Sequence, residues 1–480
     1  MIYSDVSQPS ALGWDPASFR DPMSRVFVRD GSVYRAFTEA GAQHWTAFDQ
    51  TGLRQELEQA LLLIPSWIPS PSLLPSPLPS PLPSPALSAN LSPLVLQHPS
   101  IPFISYPQEW CFSMLQDAAL LHLTLLEKLI SKGFMLKDAS PFNVQFVGPR
   151  PIFIDVGSIQ LHEPGSPWPA LHQFCSTMLN PLLISAFLRI PFTRLLAAEP
   201  NGIDTDTTAR LFGRRYWWHP TVMMYVYLQA SLERRYKTRP LPNHAARQRL
   251  SPPALTAIVS SLKRKLAALR PAPRRSTWLD YSESHTYTEE SLAAKRDFVV
   301  AAFQALGPRR LLWDLGCNTG DFSRLSANFF EHVVAIDSDF DCVDTLFRGL
   351  RRDGVSTILP LVLDIANPTG SFGWNNEERR AFFARGRPDC ILALALLHHL
   401  RVGAGIPLEK LAQFIADRTD HAIVEFVSPE DPQFARLIAS RRSTFDDYTE
   451  SGFREAFGHR FRLVSERGLT ATRTIFFFSR

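Results

Sequence analysis

The last 200 residues constrain the fold of this chain more than any other feature. Six short apolar runs, LLWDLG (311–316), VVAID (333–337), ILPLVLD (358–364), CILALAL (390–396), AIVEFV (422–427) and RTIFFFSR (473–480), follow one another with helix-patterned stretches between most of them. Runs that are apolar throughout, rather than at every second residue, belong to strands covered on both faces. Strands of that kind separated by helices specify a parallel, doubly wound sheet. The last run follows FRLVSERG after a short turn, so a closing antiparallel hairpin is expected. The predicted fold class is α/β, with a Rossmann-like sheet over 277–480.

At 480 residues the chain is too long for one ordinary domain. Residues 24–38, SRVFVRDGSVYRAFT, read as two strands about an Asp30-Gly31 turn, and GLRQELEQALLLI reads as a helix. From Pro65 to Pro85 the chain is almost only Pro, Ser and Leu. Proline has no N–H to donate to a helix or a central strand, so an extended linker is expected over 65–100. The stretch WCFSMLQDAALLHLTLLEKLISKGF has helical spacing and a stop signal at Gly133. This divides the chain into a hairpin and helix over 1–64, the linker, a mainly helical region over 101–240, a Pro/Arg/Ser-rich connector around one helix, SLKRKLAALR, over 241–276 and the α/β domain.

Composition narrows the class further. Hydrophobic residues at 45% and charged residues at 20% are the proportions of a folded protein. A net charge of +4 with no long basic run gives no strong nucleic-acid signal. The five cysteines are scattered, without CxxC, which argues against a disulfide framework or a thiolate metal site. No signal peptide and no run long enough to span a membrane are read, so a cytoplasmic protein is expected.

The chemistry concentrates at one turn. Asp314-Leu-Gly316-Cys-Asn318-Thr-Gly320 links the first strand of the α/β domain to a helix. Glycines there allow a tight turn and close approach of a ligand. A dinucleotide site would read GxGxxG; DxGxxxG instead puts a carboxylate where a cationic amino group would sit. Asp337 ends the second strand, where an acid accepts from ribose hydroxyls. Asp364 ends the third strand and is placed to hold an exocyclic amine, and Asp389 opens the fourth. These acids describe a ligand with an amino-acid end, a ribose and a base, and no phosphate.

VVAID after LLWDLGCNTG resembles the first two motifs of class I S-adenosylmethionine-dependent methyltransferases, over residues 278–480. The resemblance implies a seven-stranded sheet with an antiparallel last strand and S-adenosylmethionine as cofactor. It implies that Asp314, Gly316 and Gly320 shape the methionine side, Asn318 binds the cofactor with them, Asp337 binds the ribose, and Asp364 with Ile365 flanks the adenine. Gly373-Trp374 with Glu378-Arg379, LALALLHHL (392–400), VEFVSPEDPQ (424–433) and TFDDYTESGF (444–453) resemble a narrower group, the rhizobial nodulation-type NoeA-like methyltransferases. His398 and His399 follow the fourth strand, and two roles stand for them: a general base, or a strand cap beside a packed ring. Glu425 on the fifth strand is an acceptor contact or a buried structural acid. Trp278, Tyr281 and Tyr287 form a lid over the sulfonium or pack on outer helices. Trp374 is placed to wall the adenine or the acceptor pocket. No metal site is read in this domain.

Upstream, LKDASPFNVQFVGPRPIFIDVGS (136–158) carries Asp138, Asn143 and Asp155 at the spacing of protein-kinase-like phosphotransferases. That resemblance implies a nucleotide or metal site in a reduced kinase-like fold. Only eight lysines occur and none precedes Lys128, so the phosphate-pairing Lys is absent upstream and Arg35 is the only substitute. The expected function is methyl transfer to a small-molecule, lipid-linked saccharide or protein acceptor, with a kinase-like accessory region. The alternatives are a bifunctional methyltransferase and phosphotransferase, or a non-catalytic binding protein on a methyltransferase scaffold.

Overall fold

A computed structural model describes residues 13–70, 94–231, 234, 250–271, 287–438 and 445–480. The chain divides into two units, Met1–Arg274 with Ser371–Arg380, and Arg275–Gly370 with Ala381–Arg480. The LPSP repeats, Trp278 and Tyr281 lie outside the described residues.

In the first unit, β1 (Ser24–Arg29) and β2 (Ser32–Phe37) form the expected hairpin. Its turn holds Asp30 at φ 49° and Gly31 at φ 73°, the left-handed pair that a two-residue hairpin requires. On its other side β2 pairs with β3 (Val95–His98). The linker expected over 65–100 is therefore too wide at both ends. Trp67 and Gln97 exchange backbone hydrogen bonds, and Ser66 Oγ lies 3.0 Å from His98 Nδ1. A composition window smears the Pro/Ser signal over flanks that have partners of their own.

The helix Phe112–Ile130 forms as its spacing predicts, and Gly133 follows at φ 77°. A second helix, Pro252–Ala268, contains most of the helix read at SLKRKLAALR, begins earlier than that reading, and packs on the first, so this part of the stretch expected as a connector over 241–276 belongs to the first unit. Gln116 Nε2 donates to the carbonyls of Leu266 (2.7 Å) and Leu269 (3.0 Å), and Ser260 and Lys263 both reach Glu127 at 2.6 Å. Its Pro, Arg and Ser content hides a buried stripe of Leu255, Val259, Leu262 and Leu266 at helical spacing. Two small ladders complete the unit: β4 (Phe134–Leu136) with β7 (Ile159–Leu161), and β5 (Val144–Val147) with β6 (Arg150–Phe153).

The second unit is built on β8 (Arg309–Leu315), β9 (Phe330–Asp337), β10 (Ile358–Val362), β11 (Cys390–Ala393), β12 (His421–Val427), β13 (Arg462–Thr470) and β14 (Arg473–Ser479). They form one sheet in the order β10-β9-β8-β11-β12-β14-β13. The first five are parallel, and β14 runs antiparallel between β12 and β13, as the closing hairpin predicted. Pro360 is tolerated because β10 is an edge strand. The other edge, β13, carries Arg462, Glu466 and Arg467 and two register shifts, which discourage pairing with a further strand. The helix Glu289–Leu306 packs Phe298, Val299, Ala302 and Phe303 into the core with Leu312, Val333 and Ile423. All five cysteines are buried free thiols, and among the described residues no helix is long and apolar enough to cross a membrane. The domain expected over 277–480 is not continuous, since Ser371–Arg380 belongs with the first unit.

Leu266 is fully buried. Leu266→Ala is expected to lower stability by about 2–4 kcal/mol in denaturant titration. A connector residue would change it by less than about 0.5 kcal/mol.

Candidate functional site

Strand order reverses between β8 and β11, and open α/β sheets bind ligands outside the carboxyl ends of strands at such a point. A pocket of about 490 Å³ lies there, lined by Asp314 near the end of β8 and Gly316–Thr319 after it, Asp337 at the end of β9 and Ser338 after it, Leu363–Ala366 after β10, and Leu394–Leu396 with His399 after β11. The turn after β8 is held from β9: the Asn318 N–H donates to Asp337 Oδ2 at 2.8 Å, and the N–H groups of Gly316 and Cys317 donate to the Ile336 carbonyl. Gly316 (φ 77°), Asn318 (φ 50°) and Gly320 (φ 87°) are all left-handed. A Cβ on Gly320 would lie 2.4 Å from Leu346 Cδ1, so glycine lets the helix Phe340–Asp353 pack closely against this turn.

Asp314 is buried and accepts from Ser323 Oγ at 2.5 Å; burial pushes its carboxyl up to about 6. Burial also raises the carboxyl of Asp337, whose Oδ1 accepts from the Asp339 N–H at 2.8 Å. Asp364 is exposed, turned by a 2.9 Å bond from the Ala366 N–H, with Ile365 beside it in the pocket wall. Asp314, Gly316, Asn318, Asp337, Asp364 and Ile365 thus converge on one cavity, while Gly320 acts behind its wall.

Four expectations change, that for Glu425 to the buried structural acid already given as its alternative. Asp389 is elsewhere: it precedes β11, at the opposite edge of the sheet, and accepts from the backbone N–H groups of Arg310 (3.0 Å) and Leu311 (2.8 Å). An acid that opens a parallel strand faces away from the crevice. His398 is buried with neither ring nitrogen hydrogen-bonded, and burial holds it well below its ordinary value. Only His399 lines the cavity, and burial, with Arg473 adding to it, brings it to about 4, so neither ring titrates near neutrality. Glu425 is fully buried behind the pocket, where it accepts from Tyr287 OH and pairs with Lys295 Nζ at 2.7 Å. It is a structural acid. Trp374 sits in the first unit, largely exposed, and walls no adenine.

Tyr287 does line the cavity, and its hydroxyl also accepts from Arg473, at 2.8 Å. Sequence reasoning missed Lys295, which stands on the buried face of its helix with Ser291, Phe298, Val299 and Ala302. A charge inside an apolar stripe is a readable signal.

The first unit holds its own cleft of about 560 Å³, which gathers Asp138, Asn143 and Asp155 with Asp21, Lys137 and Arg35. Arg35 is buried and bonds Asp155 Oδ1 (2.9 Å) and Ser24 Oγ (2.8 Å); Ser24 donates to Asp21 (2.7 Å), which also accepts from Lys137 (2.8 Å). Gly157 permits this, since a Cβ there would lie 2.7 Å from the Arg35 guanidinium. The GW and ER residues close the cleft. Glu378 accepts from the Trp374 N–H (2.7 Å) and from Arg20 Nε (2.5 Å), and Arg379 lies over the Phe142 ring. Among the described residues no three His, Cys, Asp or Glu side chains gather as a metal cluster.

The second unit is an α/β domain with an acid-lined pocket at the carboxyl ends of its parallel strands. Comparison places the whole chain. It is 33% identical to the nodulation protein NoeA of Rhizobium meliloti strain 1021 over 469 residues, covering 96% of this chain and 95% of that protein. The chain belongs to the NoeA family. No family model matches it. Among solved structures, WbdD aligns at 20% identity over 39% of this chain and 40% of its own, with a TM-score of 0.29. The N-methyltransferase NodS of Bradyrhizobium japonicum WM9 aligns at 12% over 40% and 97%, and the magnesium protoporphyrin IX methyltransferase of Synechocystis PCC 6803, solved with bound S-adenosylmethionine, at 16% over 44% and 86%, each at 0.30. The sheet order and strand directions of the second unit define its fold. The pocket's residues fit S-adenosylmethionine: a glycine turn at Gly316, which lines the cavity at φ 77°, a buried carboxylate at Asp314 for an ammonium, and an acid at the end of β9 for ribose hydroxyls.

A carboxyl raised from 3.8 to about 6 on folding contributes stability that is complete below pH 3.8 and lost as pH rises through 6. Asp314→Asn is therefore expected to stabilise the ligand-free chain by about 1–3 kcal/mol at pH 7, a gain that vanishes by pH 4. Denaturant titrations at the two pH values check it.

Proposed function

We propose that this chain is a class I S-adenosylmethionine-dependent methyltransferase. The observation that carries the reading is the meeting of Asp314, Asp337 and Asp364, at or just beyond the carboxyl ends of three parallel strands, around one glycine turn in one cavity. Asp314 would hold the cofactor's ammonium, Asp337 its ribose hydroxyls, and Asp364 with Ile365 its adenine. The cofactor supplies a sulfonium methyl to an in-line nucleophile, and the protein's part is alignment and exclusion of water. His399 lines the cavity and is held neutral at pH 7 by burial, so it is not a strong base for the incoming group. The acceptor is proposed to be a small molecule, a lipid-linked saccharide or a protein.

For the first unit we infer a binding role within a kinase-like remnant rather than phosphotransfer. Arg35 already occupies the Asp155 carboxylate that a metal ion would need. A scaffold without cofactor would have no use for Asp314, whose burial costs stability above pH 6.

The full-length chain is tested by calorimetry with S-adenosylhomocysteine. Asp337→Ala is expected to weaken binding by about 2–4 kcal/mol, from lost charge-assisted hydrogen bonds. Asp155→Ala is expected to leave the affinity unchanged. Parent-like affinity in Asp337→Ala would put the cofactor elsewhere and remove the main support for methyl transfer.

A further inference from the structure

The pocket of the second unit is lined by four acids, Asp314, Asp321, Asp337 and Asp364, and among its described lining residues by a single strong cation, Lys295. That lysine is only 5% exposed. An ammonium taken so far from water needs compensation. Glu425 Oε2 at 2.7 Å and Tyr287 OH at 3.3 Å supply two partners, and the faces of Tyr287 and Phe322 lie 4.8 and 4.9 Å away. Of these two partners only the Tyr287 contact is a formed hydrogen bond, the Glu425 contact being an ion pair, so the ammonium keeps donor capacity toward the cavity that Lys295 lines. Its stem is immobile by construction. Glu425 is fixed in turn by Tyr287 and by Arg473, 3.7 Å away, which is itself pinned to Asp431 at 2.8 Å.

An amino-acid group carries an ammonium and a carboxylate on one carbon. Asp314 alone answers the first; the second needs a cation on the same side of the pocket. Lys295 is near enough to Asp314 to act on its charge, and no other lysine or arginine lines the cavity among the described residues. We propose that Lys295, held by Glu425 and Tyr287, anchors the carboxylate of the cofactor's amino-acid end, so that the pocket selects an adenosyl ligand with that group intact. The inference rests on the cofactor reading above. It assigns Glu425 and Tyr287 as positioning residues acting through Lys295.

Two ligands separate the roles: S-adenosylhomocysteine, and 5′-methylthioadenosine, which keeps the nucleoside and lacks the amino-acid end. Full-length K295M is expected to bind the first about 10- to 100-fold more weakly and the second within about twofold of the parent. Because K295M strips Glu425 of its nearest ion-pair partner, the double variant K295M/E425Q is measured beside it and is expected to show the same split. Equal loss for both ligands, or undiminished affinity for S-adenosylhomocysteine, would reduce Lys295 to a strut beneath Glu425 and overturn the proposal. A parent chain that binds neither ligand overturns the cofactor reading itself, a result distinct from either.

Discussion

The hydrogen bond from the Asn318 N–H to Asp337 holds the second unit's pocket in shape. The chain must leave β8 and enter a helix within five residues, through left-handed conformations that a free loop would not hold. Asp337 holds that turn with one oxygen and its own descending loop with the other. The acid that would recognise a ribose is therefore also the brace between the first two strands. Binding and architecture meet in one carboxylate, and its burial raises its affinity for a proton.

Much of this was legible in the sequence, for identifiable reasons. Strands β8, β9, β10, β11 and β12 were readable because a strand buried on both faces needs apolar residues throughout. Asp314, Asp337 and Asp364 were readable because they fall at or just after the apolar runs, where the sheet opens to ligand. Asp389 deceived because it lies at the start of its run, and the direction of the strand decides which edge an acid occupies. The residue type of His398 and His399 suggested titration near neutrality, but a letter carries no burial.

Long-range pairing left weaker traces. The pairing of β3 with β2 spans the Pro/Ser tract, and the contact of Pro252–Ala268 with Phe112–Ile130 crosses more than a hundred residues. Neither leaves a local period that names its partner. In the first unit, Lys137, Asp21, Ser24, Arg35 and Asp155 form a chain of charge-assisted bonds that no spacing rule describes. Arg35 was visible as the only basic substitute, and Gly157 shows why it can reach: any side chain there would displace the guanidinium.

The grouping of Ser371–Arg380 with the N-terminal residues has a consequence for synthesis. Arg20 and Glu378 are 358 positions apart in the chain, and the Phe372 ring that meets Tyr106 at 5.4 Å and Phe142 at 6.1 Å is made just as late. On a ribosome, the wall of the first unit's cleft therefore arrives only after β8, β9 and β10 have emerged. Until then the nascent N-terminal unit presents open aromatic surface, and its maturation is timed by translation of the C-terminal half.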